Sequence, residues 1–233
     1  MSTTVDVALE ERVRTALATV RDPELDESIT ELDFVASLRV TGSTVRVELR
    51  LPTYFCAPNF AYLMVADAHD AVTAVPGVEA VEVRLLDHFA SEEINAGVSG
   101  GRGFAGSFPG LADDELHELR VTFRRKAHQA CQERVASRLV GSGRTVEELA
   151  GLTLGDAVPG PELERLRRRR AELDLPAGDE APLLLAADGT PVTAPDLPAQ
   201  LRLARTTRIS IEGNAGLCRG LLGVRYGLDR KTG

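Results

Sequence analysis

The chain has 233 residues, 43% of them hydrophobic, with 27 Lys and Arg against 35 Asp and Glu and a formal net charge of −8. That length and apolar content suffice for one large or two small packed domains, and the negative balance argues against a general affinity for nucleic acid or anionic membrane. No apolar run approaches the roughly 20 residues of a membrane-spanning helix, and "MSTTVDVALEERV" has neither a basic start nor an apolar signal core, so the expected location is the cytoplasm.

Residues 7–20 place Leu9, Val13, Ala16, Leu17 and Val20 on one stripe, which predicts an amphipathic helix. Pro23 ends it, because the residue before a proline is pushed out of the helical conformation. Residues 32–40 and 45–51 read as two strands joined by "TGST", the second alternating Val45, Val47, Leu49 and Leu51 with Arg46, Glu48 and Arg50. A second helix is predicted from Pro58 to about Ala74, and a third strand over 78–86 after "VPGV". The expected fold class is therefore α+β: a small three-stranded mixed sheet with helices packed on it, leading into a mainly α-helical region.

"GVSGGRGFAGSFPG" (97–110) reads as a mobile Gly-rich loop or linker. Gly101, Gly103 and Gly106 satisfy G-x-G-x-x-G, but no strand immediately precedes them and Pro109 breaks the helix that a nucleotide fingerprint would need after them, so no nucleotide site is read there. Beyond it, residues 113–140 predict a long helix, Thr145 and Glu148 a capping box, and Pro161 the first position of another helix. "RLRRRR" (165–170) sits on that helix with leucines at helical spacing, which reads as a solvated basic face. With no Trp and 4% aromatic residues, platforms for stacking bases are scarce. "LLLAADGTPV" predicts a small hairpin, and the last stretch is open between strand and helix. The expected organisation is thus an α+β domain over 1–90, a Gly-rich linker or loop over 91–112, and a mainly helical extension over 113–233 with a hairpin near 183–192.

Three cysteines at wide spacing, Cys56, Cys131 and Cys218, do not form a secreted disulfide framework. Cys56 lies at a strand-to-helix junction just ahead of Pro58, where free backbone N–H groups and the positive helix end favour thiolate over thiol; the alternative is a small buried hydrophobe. Asp22 and Glu24 flank Pro23 in the loop after the first helix and could reach the same sheet edge as Cys56, to ligate a metal or hold a proton, or simply to cap a turn. His128 and Cys131, at i and i+3, lack a second ligand pair and read as structural. Cys218 is set among glycines that permit close approach. His69 and His88 show no partner pattern.

"VRDPELDESITELDFV", the alternating hairpin, "TYFC" and "VPGVEAVEVRL" together resemble the iron-sulfur cluster assembly domain family that includes SufT-like and PaaD-like proteins. The resemblance covers roughly residues 9–88. It differs in having Ala57 between the cysteine and the proline, and Asp33 after Leu32 where the family has glycine. The resemblance implies a role in maturing iron-sulfur or other iron-dependent proteins, with the family's reactive cysteine at Cys56, its acidic motif at Asp22 and Glu24, and its threonine at Thr53. It implies as cargo an iron-sulfur cluster or iron, held stably or only in transit, and as partners a client apo-metalloenzyme or the assembly machinery. A Cys-ligated cluster ordinarily takes four thiolates; a homodimer in which each subunit gives Cys56 and Cys218, or an external thiol, would complete the set. Two other readings stand beside this carrier: an adaptor or chaperone for a multicomponent oxygenase, di-iron enzymes included, and a thiol-dependent enzyme with Cys56 as nucleophile, which would require a base within hydrogen-bond reach.

Overall fold

The computed structural model describes residues 2–108 and 113–228. Helix α1 (Ser2–Leu17) arises from the apolar stripe: Leu9, Val13 and Leu17, four residues apart, are buried, and Val20 continues the line in the turn after the helix. Strands β1 (Val35–Thr41) and β2 (Thr44–Leu49) pair antiparallel, and β3 (Ala80–Leu85) pairs parallel to β2, giving a mixed sheet of order β1-β2-β3. The hairpin turns at Gly42, whose φ of +62° lies in the left-handed region that glycine adopts without cost. Val45, Val47 and Leu49 face the core, while Arg46 on β2 pairs with Glu82 on β3 at 2.7 Å on the other face. Helix α2 (Pro58–Thr73) starts with proline in its first turn and buries Ala61, Met64, Val65, Ala68 and Val72. The α+β class holds. β1 starts three residues later than expected because Asp33, at φ +58°, turns the chain before pairing begins.

Where a mobile glycine-rich loop is expected, the chain forms helices α3 (Ser91–Ser99) and α4 (Gly103–Ser107), with Ile94 and Phe104 in the core. Here glycine serves close packing. A Cβ on Gly97 would fall 1.7 Å from Ser107 Oγ and 2.7 Å from its Cβ, so only a bare backbone lets the two helices approach this closely. Pro109 and Gly110, the end of the expected loop, lie outside the described residues.

The chain divides into two compact units, residues 1–117 with 213–233, and residues 118–212. This differs from the expected division at 91–112, because α3 and α4 pack into the first core and the end of the chain returns to it: Ala215 and Leu222 are buried there. The second unit draws on helices α5 (Asp113–Gly141), α6 (Pro161–Ala171) and α7 (Leu197–Tyr226), with two short 3-10 turns, Glu147–Gly151 and Leu154–Asp156. Thr145 and Glu148 exchange the reciprocal bonds of a capping box. The expected hairpin is a single bridge, Leu185 with Pro191, closed around Gly189. The basic run of α6 is not wholly solvated: Arg169 and Arg170 are buried, and the Arg170 guanidinium donates to the carbonyls of Pro176, Pro182 and Leu183, to Gln132 Oε1 and to His128 Nε2.

Candidate functional site around Cys56

β2 and β3 run parallel, so their carboxyl ends meet at one edge of the sheet, with Leu49 opposite Leu85. The chain leaves β2 through residues 50–57 to α2, and leaves β3 through Asp87 and His88 to α3. Backbone bonds stitch these exits together: Leu86 N–H to Leu49 O at 2.8 Å and Phe89 N–H to Tyr54 O at 3.2 Å. Cys56 therefore sits two residues before the first helical position of α2, on a loop anchored from both strands.

Thr53 faces the sulfur, with Oγ1 3.3 Å from Cys56 Sγ. The same oxygen accepts the N–H of Phe55 at 3.3 Å, so Thr53 ties the sulfur to the backbone of its own loop. His88, buried, approaches the Cys56 carbonyl oxygen with Nε2 at 2.7 Å, while Nδ1 accepts the N–H of Ala90 at 3.2 Å. Those two bonds fix the tautomer: the proton is on Nε2 and the ring is neutral. Burial, more than the nearby Arg225, holds the imidazole below its usual range, against the opposing pull of the Cys56 carbonyl. With both nitrogens engaged by backbone, His88 positions the loop and does not serve as a base on the sulfur.

Asp22 is 7% exposed, and its Oδ1 accepts the N–H groups of Glu24 and Leu25, each at 2.9 Å. Burial nevertheless pushes its carboxyl up to about 6, overcoming those two bonds. Asp22 thus caps the turn after α1. α7 crosses this region: Asn214 Nδ2 donates to Glu24 Oε1 at 3.3 Å, Arg219 pairs with Glu27, and Arg225 donates to the carbonyls of Leu51 and Asp87. Cys218, half-buried between these anchors, has its thiol pushed up to about 11, first by burial and then by the negative charges of Asp22, Cys56 and Glu24. Thus Asp22, Cys56 and Glu24 all act on Cys218, and Thr53 lies against the Cys56 sulfur.

Beside Cys56 stand three exposed aromatic rings. Tyr54, Phe55 and Phe89 pack on one another with centroids 5.0 to 6.3 Å apart, and Phe55 is 77% exposed. His128 and Cys131 are both buried in the second unit, where the Arg170 guanidinium donates to His128; burial and that charge lower the imidazole to about 4. Among the described residues, no group of three or more His, Cys, Asp and Glu side chains is arranged to hold a metal ion. Nor is any helix among them long and apolar enough to cross a membrane.

Cys56 thus stands on the loop that follows β2, at the sheet edge where β2 and β3 end together. Residues 10–84 match the family described as iron-sulfur cluster assembly protein. Over 73 residues, 31% of this chain, the sequence is also 40% identical to the iron-sulfur cluster carrier protein of Synechocystis sp.. The chain spans only a fifth (20%) of the length of that protein. Asp22, Glu24, Thr53 and Cys56 lie within the segment that matches the family; His88 and Cys218 lie outside it.

His88 shows no partner pattern in the sequence because its partner is a backbone carbonyl 32 residues away rather than another side chain. Its position directly after the third strand, at the end shared with the Cys56 loop, is the one signal that could have exposed it. The aromatic patch was equally hidden, since "TYF" and "HF" look like ordinary strand-end residues.

Proposed function

We propose that this protein takes up an iron-sulfur cluster or iron at Cys56 and passes it to a client apo-metalloenzyme or to the assembly machinery. The carrying observation is the single cysteine loop of an iron-sulfur cluster assembly segment, with the Thr53 hydroxyl against its sulfur and a second thiol, Cys218, on which Cys56, Asp22 and Glu24 all act. Support also comes from the similarity to a cluster carrier. The electrostatics suit a cationic cargo. Asp22, Glu24 and Cys56 oppose ionisation of Cys218, and a cation arriving beside them reverses the sign, so that the same charges draw it in and the thiol proton is released.

One chain offers two thiols here, fewer than the four a Cys-ligated cluster ordinarily takes. In this reading the set is completed by Cys56 and Cys218 of a second copy or by an external thiol, and the incomplete set favours transit over storage. Anaerobic reconstitution with iron and sulfide tests it, for the wild type, Cys56→Ser and Cys218→Ser in parallel. Visible absorption and stoichiometric iron are expected in the wild type and lost in Cys56→Ser, with sedimentation shifting to a dimer on loading. Equal iron in wild type and Cys56→Ser would sink the reading.

A second reading, an adaptor that grips a client without carrying metal, draws on the exposed Tyr54, Phe55 and Phe89 patch, since contiguous exposed aromatic surface marks protein interaction sites. A Phe55→Ser variant that keeps iron uptake yet loses client binding would assign docking to the patch. A protein that binds client but never iron would favour the adaptor.

A further inference from the structure

Cys218 reaches the Cys56 loop from outside the family segment, on a helix fixed at both ends of the crossing. One turn before it Asn214 bonds Glu24, and two turns after it Arg225 donates to Leu51 O at 3.0 Å. Cys218, Leu222 and Arg225, at i, i+4 and i+7, share the helix face turned to the first core, where Leu222 is fully buried. Cys56 and Cys218 are both half-buried free thiols packed against that same core, and the charge of Cys56 acts on Cys218. Cys56 stands on an irregular loop, which can adjust to disulfide geometry more readily than a helix can.

We infer that Cys56 and Cys218 close into an intramolecular disulfide when the protein meets a low-molecular-weight disulfide, and that this bond switches the site off by withdrawing both thiols from cargo. The regulatory consequence rests on the carrier reading; formation of the bond does not. The step balances by thiol exchange. The Cys56 thiolate attacks one sulfur of oxidised glutathione, forming a mixed disulfide and expelling one glutathione thiolate. Cys218 then attacks the Cys56 sulfur and expels the second, so two protein thiols are oxidised, one glutathione disulfide is reduced, and the two thiol protons leave on the two glutathione molecules.

The experiment uses the whole reduced chain, treated with oxidised glutathione, trapped with N-ethylmaleimide and digested with trypsin without reductant. The three cysteines fall on three separate peptides, 51–84, 127–134 and 209–219. The expected product is 51–84 joined to 209–219, two hydrogens lighter than their sum, in a yield that does not change on tenfold dilution. Glutathione left on Cys56 with Cys218 alkylated, or a Cys56–Cys56 bond that fades on dilution, would overturn the inference. Iron uptake is then compared between the oxidised and the reduced protein, with no reductant present. At least a tenfold lower uptake after oxidation is expected, and equal uptake by both forms would overturn the switch. The bond is read by mass without cargo, so its failure leaves the carrier reading standing. A reduced protein that takes no iron removes that reading and leaves the bond.

Discussion

His88 holds Cys56 by its backbone: imidazole Nε2 donates to the Cys56 carbonyl at 2.7 Å, across 32 residues of chain. Removing a buried donor strands that carbonyl, so His88→Ala should lower stability by about 1–3 kcal/mol. His88→Gln, whose amide nitrogen can reach a similar position, should recover part of it. Urea denaturation of the three proteins measures this. Because burial lowers the native imidazole pKa, its contribution is complete above the unfolded value near 6.5 and is lost as pH falls through the native one. His88→Gln should therefore also remove part of the acid sensitivity. An unchanged urea midpoint in His88→Ala would show that the bond does not fix the loop.

Asp22 predicts the opposite pH dependence. Its native carboxyl sits at about 6 against an ordinary value of 3.8, so the folded state holds the proton more tightly. Stability is then greatest below 3.8 and falls as pH rises toward 6, by on the order of 3 kcal/mol at 1.36 kcal/mol per pH unit. Asp22→Asn keeps an oxygen for the N–H groups of Glu24 and Leu25 and has no charge to bury. It should be more stable than wild type at about pH 8 and equal to it near pH 3.5, with weaker iron uptake if the carrier reading holds. Parallel denaturation curves at the two pH values decide it.

Gly97→Ala should cost about 1–3 kcal/mol through overpacking, since the new Cβ overlaps Ser107. The overlapping atoms are the Ser107 side chain, so Gly97→Ala with Ser107→Gly should cost less than the sum of the single changes. A double-mutant cycle in thermal denaturation reads the coupling. Strict additivity would mean that the two helices slide apart freely.

In the second unit, Arg170 is fully buried and its guanidinium reaches neutral acceptors on several chain segments. Arg170→Ala would strand those carbonyls and Gln132, at a cost of about 3–5 kcal/mol. Arg170→Lys should rescue little, because one ammonium cannot span the fork. Circular dichroism during urea titration should show residues 118–212 melting first in the Ala variant; unchanged melting would contradict the hub role.

The sequence by itself determined the elements whose physics is local. The stripe of Leu9, Val13 and Leu17, the alternation of Val45, Val47 and Leu49, and Pro58 opening α2 each arise from a fixed period or a fixed φ, and their order with Thr53, Cys56, Asp22 and Glu24 pointed to the family. What only the tertiary structure decided depends on contacts between distant segments. A glycine-rich stretch reads as a linker until Ser107 is seen against Gly97, and an arginine run reads as surface until five acceptors are found around Arg170. His88 beside the Cys56 carbonyl, Asp22 pushed toward neutrality and the return of Cys218 to the first unit carry no local pattern, because burial and proximity are properties of the packed chain rather than of spacing along it.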